Sequence, residues 1–220
     1  MDIILAEIYG ALLGDGCLSG YYAKSSKRWR NEVVFTGNIS EEDYFVNFIK
    51  KELESRFGFK GRINRKLKDH AIEIHFTAKS VFTYFSKIFP VGKKPESLCF
   101  PAFILSNSKL LIPCLRGLFD TDGSIYLGYN KKKVNGKITY KYYNVIQLKM
   151  RAPVLIKQVK QIFSDLGFKC NKITFDGTRS IIRISDQNSV KEFISRIGFR
   201  NIRNKERPAK FDLLNFNRFQ

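Results

Sequence analysis

Two aspartates 107 residues apart, Asp15 and Asp122, share one local setting: an apolar segment that carries small residues four apart and closes on Asp-Gly. The first copy is Ile8-Tyr9-Gly10-Ala11-Leu12-Leu13-Gly14-Asp15-Gly16, and the second is Leu115-Arg116-Gly117-Leu118-Phe119-Asp120-Thr121-Asp122-Gly123. A mid-helix glycine costs about 1 kcal/mol relative to alanine. Gly10, Gly14 and Gly117, with Thr121 at the fourth small position, therefore imply helices whose backbones approach closely. Packed through that face, both helices end at one level and bring Asp15 and Asp122 together. Two carboxylates in one small volume repel each other and tend to hold a proton, unless a hard divalent cation such as magnesium neutralises them. The glycine after each aspartate is read as a left-handed helix cap, which would leave free carbonyls and the negative end of the macrodipole beside the carboxylates. A single Asp-Gly is ordinarily a helix-ending turn, but here the same pattern occurs twice.

The elements that must hold the pair repeat with it. Phe57-Gly58-Phe59-Lys60 recurs as Leu166-Gly167-Phe168-Lys169, and Ser80-Val81 as Ser189-Val190, both at an offset of 109. This spacing predicts a duplicated unit, with residues 1–105 as the first and 106–220 as the second, and a boundary between Phe103 and Lys109 at Ser106-Asn107-Ser108. Each motif helix leads into a hairpin; in the second unit it spans Ser124 to Met150 and turns at Asn135-Gly136. A helix follows, opened by Ser40-Glu41-Glu42-Asp43 or by Pro153, and runs to Gly58 or Gly167. A second hairpin, turning near Lys68-Asp69-His70 or Asp176-Gly177, precedes a helix that begins near Lys79 or Asn188. The expected fold is α+β: two pseudo-symmetric αββαββα repeats with the motif helices packed at their interface.

Alternation in the strands locates a binding face. From Ile138 to Met150 the even positions Ile138, Tyr140, Tyr142, Asn144, Ile146, Leu148 and Met150 read as core, and the odd ones, with Lys141, Gln147 and Lys149, as a polar face. Arg28, Arg30, Glu32, Thr36 and Asn38 share a face, as do Arg62, Asn64, Lys66 and Lys68, and Arg179 shares one with Arg183. Most charged strand faces are merely solvated. Four strand pairs biased to Arg, Lys, Asn and Gln match residues that reach phosphates and base edges, and two such antiparallel sheets side by side would form a basic saddle over a major groove.

Composition fits that partner. The 220 residues include 39 Lys and Arg against 20 Asp and Glu, a net charge of +19, with a pI near 9.8. Such a balance points to a polyanion, nucleic acid before membrane. No apolar run reaches the roughly 18 residues needed to span a bilayer, and no secretory signal is read at the N-terminus. Cys17, Cys99, Cys114 and Cys170 are scattered and only His70 and His75 are present, which argues against a zinc site. Neither a Cys-His-Asp arrangement nor a glycine-rich phosphate loop is found. The expected setting is intracellular, a prokaryotic cytoplasm or an organelle.

The second copy resembles the signature of the LAGLIDADG homing endonucleases at Leu115, Gly117, Leu118, Asp120, Asp122 and Gly123, and the first copy matches it at Gly10, Asp15 and Gly16. Leu13 stands where the signature has its first acidic residue, a position taken as structural. The resemblance implies a monomer with internal pseudo-twofold symmetry that hydrolyses both strands of a long, nearly palindromic double-stranded DNA site and leaves staggered ends. It implies Mg2+ held by Asp15 and Asp122 with the carbonyls of Gly14 and Thr121, Mn2+ able to substitute, and Ca2+ bound without supporting cleavage. It also implies a lysine from each unit near the reacting water, here Lys94 and Lys205, and a strand glutamine beside the metals, here Gln147 with Thr36 as the weaker counterpart. The alternative is a maturase-like or degenerate member that binds intron RNA or DNA without cutting, which loss of either aspartate would favour. Without a terminal Asn and following nucleophile the chain reads as free-standing rather than as part of an intein.

Overall fold

The computed structural model describes residues 1–134 and 137–207. The expected Asn135-Gly136 turn and the last residues of the second unit lie outside the described residues.

Helix α1 (Ile3–Asp15) is buried continuously from Leu5 to Gly14. A helix apolar all round has to be enclosed, and α1 is enclosed by the rest of its own unit on one side and by α5 (Ser108–Thr121) on the other. Strands β1 (Gly16–Ala23), β2 (Arg28–Asn38), β3 (Arg62–Lys66) and β4 (Ala71–Phe76) form an antiparallel sheet in the order β1-β2-β4-β3. Strands β5 (Gly123–Val134), β6 (Lys137–Met150), β7 (Thr174–Asp176) and β8 (Arg179–Ile184) form the second, in the matching order β5-β6-β8-β7. Helices complete each unit: a π-helical stretch Asp43–Lys50 that continues into α2 (Lys51–Phe57), then α3 (Lys79–Ser86), answered by α6 (Pro153–Asp165) and α7 (Gln187–Arg196). Short α4 (Ala102–Leu105) precedes α5, and α8 (Ile202–Lys205) follows α7.

The inner faces hold the core. Val33, Phe35, Ile72, Ile74 and Phe76 of the first sheet, and Ile125, Ile146, Leu148, Ile182 and Ile184 of the second, pack under the helices, each fully buried side chain contributing roughly 1.5–3 kcal/mol. Phe119, Phe163 and Phe193 lock α5 to α6 and α7, with ring centroids 5.0 to 5.9 Å apart. The long second hairpin outruns this core: Ile138 and Tyr140 are half exposed, so the even positions of β6 are core only toward its end. Gly58 and Gly167 end their helices at φ +71° and +84°. The capping box belongs to Asn38 and Glu41 rather than to Ser40: Asn38 Oδ1 accepts from Ser40 N at 2.9 Å, and Glu41 accepts from Asn38 N at 3.1 Å. Among the described residues no helix is long and apolar enough to cross a membrane.

Candidate active site

The two motif helices touch through their small residues. A methyl group on Gly10 would lie 1.9 Å from the Cys114 carbonyl oxygen, one on Gly117 would lie 1.9 Å from that of Glu7, and one on Gly14 would lie 2.0 Å from Thr121 Oγ1. At Gly10 and Gly117 the obstacle is the backbone of the opposite helix, and at Gly14 it is the Thr121 side chain. The following glycines serve a different purpose from the one expected. Gly16 has φ −96°, so no left-handed cap forms, and Gly123 is likewise absent from the positive-φ residues. A methyl on Gly16 would meet Leu12 Cα at 2.5 Å, and one on Gly123 the Phe119 carbonyl oxygen at 2.4 Å. Each helix passes straight into the first strand of its sheet, and the glycine gives the clearance.

That packing brings Asp15 and Asp122 within electrostatic reach. Burial, with the charge of Asp122 second, pushes Asp15 up to about 7 against the opposing pull of Lys94. Burial also raises Asp122, opposed by Lys94 and Arg179. At both carboxylates burial outweighs the positive charge within reach. Among the described residues no three His, Cys, Asp or Glu gather as a metal cage, so the oxygens that could complete a shell here are backbone carbonyls, water and phosphate. Three such carbonyls are held by two cations. Lys94 Nζ donates to Gly14 O and, at 2.9 Å, to Leu13 O, and Arg203 Nη2 donates to Thr121 O at 3.4 Å. Burial pushes Lys94 below the ordinary lysine range, with Asp122 and Asp15 opposing.

Arg203 holds the Thr121 carbonyl as Lys94 holds that of Gly14. Lys205 is exposed at the end of α8. The repeat offset of 109, applied to Lys94, gives Arg203, so the signal was present in the spacing. Arg203 is anchored across the units: its Nε lies 3.2 Å from Glu41 Oε1, at an angle short of a hydrogen bond, and Asn201 Nδ2 donates to the same oxygen at 2.6 Å. Glu41 is 4% exposed and Asn201 fully buried. The turn before α8 is pinned by Asp120, whose carboxylate accepts the amides of Arg200 and Asn201 at 3.0 to 3.1 Å, while burial carries it to about 7. Arg200 in turn holds fully buried Glu7 of α1 at 2.6 and 3.0 Å and lies over the Phe48 ring at 4.1 Å. The pairings of Glu7 with Arg200 and of Glu41 with Arg203 exist only across the unit interface and leave no local sequence signal.

Above the helix ends, a cleft of ≈ 970 Å³ is lined by Gly14, Lys94, Asp122, Lys149, Arg151 and Arg179, among others. Of the predicted face residues, Arg179 and Lys149 line this cleft. Lys149 is paired with Asp176, and Gln147 accepts from Arg183 Nε at 2.8 Å while Arg183 Nη1 reaches Thr174 Oγ1 at 2.9 Å. Gln147 is thereby tied to its own sheet. Lys141 is exposed on the distal part of β6, opposite Asn130. In the first sheet Arg28 and Arg30 lie on the outer half of β2, and Thr36 is exposed opposite Glu73. Asn38 is occupied as a helix cap. Arg62 is exposed, Asn64 and Lys66 bond Glu73 at 3.1 and 2.6 Å, and Lys68 falls in the turn Leu67–Asp69 rather than on the strand. The centre of this face carries a network the alternation did not reveal: His75 bridges Glu32 Oε1 at 2.8 Å and Glu73 Oε2 at 3.2 Å.

Residues 111–198 match the family model described as a LAGLIDADG-like domain. No curated protein matches the chain significantly. Among solved structures, I-DmoI in complex with DNA and Mn is 20% identical with a TM-score of 0.62, covering 89% of this chain and 96% of that one. I-DmoI in complex with DNA and Ca is 21% identical with a TM-score of 0.62, covering 88% of each chain. A point mutant of I-SmaMI is 14% identical with a TM-score of 0.66, covering 96% of this chain and 90% of that one. The chain therefore carries a LAGLIDADG-like domain at residues 111–198 and has, across 89% of its length, the fold of the homing endonuclease I-DmoI.

Proposed function

We propose that the chain is a site-specific endonuclease that hydrolyses both strands of a long, nearly palindromic DNA duplex with Mg2+ and leaves staggered ends. The observation that carries this reading is the pair of buried, mutually repelling carboxylates, Asp15 and Asp122, at the ends of two touching helices beneath two basic sheets. The donor set fits a hard cation, since the carboxylates and the carbonyls of Gly14 and Thr121 are all oxygen. Those four groups would hold it, and it would supply a polarised phosphate and a more acidic water. Mn2+ is expected to substitute, and Ca2+ to bind without supporting cleavage.

The rest is done by the chain itself. Lys94 and Arg203 bring positive charge to the two helix ends, where charge develops on a phosphate under attack. Arg179 and Lys149 line the cleft through which a strand would pass. Arg28, Arg30, Arg62, Lys141 and Arg183 spread cations along the sheets, and their phosphate contacts would make binding strongly salt-dependent. Two unequal units in one chain can read two unequal half-sites. The test is cleavage of a randomised duplex library in magnesium, beside calcium, with the ends of cut molecules sequenced. One long site cut on both strands with a fixed stagger, in magnesium alone of the two ions, supports the proposal. Salt-sensitive binding with no cutting in either ion would overturn it and point to a protein that binds nucleic acid without cleaving it.

A further inference from the structure

The two units differ at one place where pseudo-symmetry leads one to expect likeness. β4 pairs with β2 only from Val33 to Asn38, which leaves the edge of β2 before Val33 unpaired on that side. β8 likewise pairs with β6 only from Ile146 onward. In the second unit this free edge is closed by the chain's own side chains. Gln187, the first residue of α7, accepts from Asn144 N at 3.1 Å and donates to Asn144 O at 2.9 Å. Asp186 caps the same helix, its carboxylate accepting from Ser189 N at 2.9 Å.

In the first unit both plugs are missing. By place in the helix, Lys79 is first in α3 as Gln187 is in α7, and Ala78, which offers no side-chain acceptor, is the N-cap where α7 has Asp186, although the sequence offset of 109 sets Thr77 against Asp186. In their place is a cavity of ≈ 330 Å³ lined by Arg28, Trp29, Arg30, Asn31, Thr77 and Lys79. Among the described residues, none of its three cations has a carboxylate partner, because the neighbouring Glu32 is committed to His75. Arg30 Nε is buried there with no hydrogen-bond partner. A buried guanidinium N–H left unpaired is costly, and the cavity sets three cations beside the neutral side chains of Thr77 and Asn31 with no carboxylate among its lining residues, so donors and positive charge predominate. The chemistry that fits is a phosphate, and Trp29, 72% exposed at the rim, adds a surface on which a base can stack.

We propose that this cavity is a nucleotide-phosphate site of the first unit, absent from the second, that takes a phosphate at the outer edge of the sheet. It extends the reading given under Proposed function to a contact away from the cleft. Two sources share this chemistry, the backbone of a bound duplex and a free mononucleotide. Trp29 is the chain's single tryptophan, so its fluorescence reports on this cavity alone. Titration with inorganic phosphate and with AMP is expected to give a saturable change in the parent. Ala78→Asp, which restores the carboxylate found in the second unit, and Lys79→Gln, which restores its amide, should each weaken that response by about tenfold or more. Ala78→Asp should also raise the melting temperature, because it caps α3, so loss of binding there cannot be ascribed to misfolding. A duplex extended past the first unit, but not a short one, should lose about one unit of salt slope in Lys79→Gln if the phosphate is the duplex backbone. A saturable AMP response with no effect of duplex length keeps the site and assigns it to a free nucleotide. No response in the parent, or an unchanged response in both variants, overturns it. Neither result bears on cleavage at Asp15 and Asp122, which is read separately on the short duplex.

Discussion

Gly117→Ala tests the contact on which the site depends. Alanine would by itself favour the helix by about 1 kcal/mol, so at a roomy position the variant would be the more stable protein. Here the new methyl would sit 1.9 Å from Glu7 O and 2.8 Å from Ala11 N. Ordinary contact begins near 3.4 Å, so α1 must retreat by about 1.5 Å. Both obstructing atoms are backbone, and no rotamer change can relieve them. Overpacking of this kind costs about 1–3 kcal/mol, and the retreat also stretches the ion pairs of Glu7 with Arg116 and Arg200. After the propensity gain, a net loss of about 2 kcal/mol is expected, read as a lower urea midpoint at unchanged slope. Asp15 and Asp122 ride on the two helices that part, and a misplacement of about 1 Å can cost on the order of 100-fold in rate. Cleavage should fall by that order while duplex binding through the sheets changes only a few-fold. A Gly117→Ala protein that is more stable and cuts at the parent rate would refute backbone contact between the helices.

Other consequences follow from the same geometry. Asp15 and Asp120 both stand near 7 against an ordinary 3.8, chiefly through burial, so between those values the folded chain binds protons the unfolded chain has released. Their stabilising contribution is full below pH 4 and gone once the pH passes 7. Metal-free Asp15→Asn should therefore be the more stable protein at pH 8, by at most about 4 kcal/mol, and the gap should close near pH 4 in thermal melts. Replacing Lys94 or Arg203 by Met should slow cleavage, each with a different strand bias because only Arg203 is tied to Glu41, whereas Lys205→Met should leave both strand rates near the parent values. Strand-resolved nicking on end-labelled duplex decides this. Glu7→Gln should cost about 3–5 kcal/mol in denaturant melts, because it strips the partner from two arginines at a fully buried carboxylate.

The helix contact, the two aspartates and the order of elements were legible in the sequence because each is local or repeated. Small residues four apart need only one helix to be recognised, and an offset near 109 needs only one comparison. Polar partners that cross the interface were not legible. Glu41 lies 162 residues from Arg203 and reads by itself as an ordinary first-turn glutamate. Residue type leads from Lys94 to Lys205, whereas the offset of 109 leads to Arg203. Alternation placed the core face of the inner halves of β2 and β6, where Val33, Phe35, Ile146 and Leu148 are buried, since burial enforces period two there. It failed at Lys68 and Asn38, where a turn and a cap claim the side chains, and in the distal half of β6, where the strand outruns the core. The glycines after the aspartates were recognised, but for backbone freedom when the reason is clearance.

The most direct measurement is strand-resolved cleavage of the target duplex in magnesium by the parent, Asp15→Asn and Asp122→Asn, with duplex affinity measured in parallel. Expected is a loss of roughly 100-fold or more in cutting for each variant, with affinity for the duplex kept within a few-fold. Fixed staggered double-strand cutting at the parent rate by either variant would contradict a site built on the two paired aspartates.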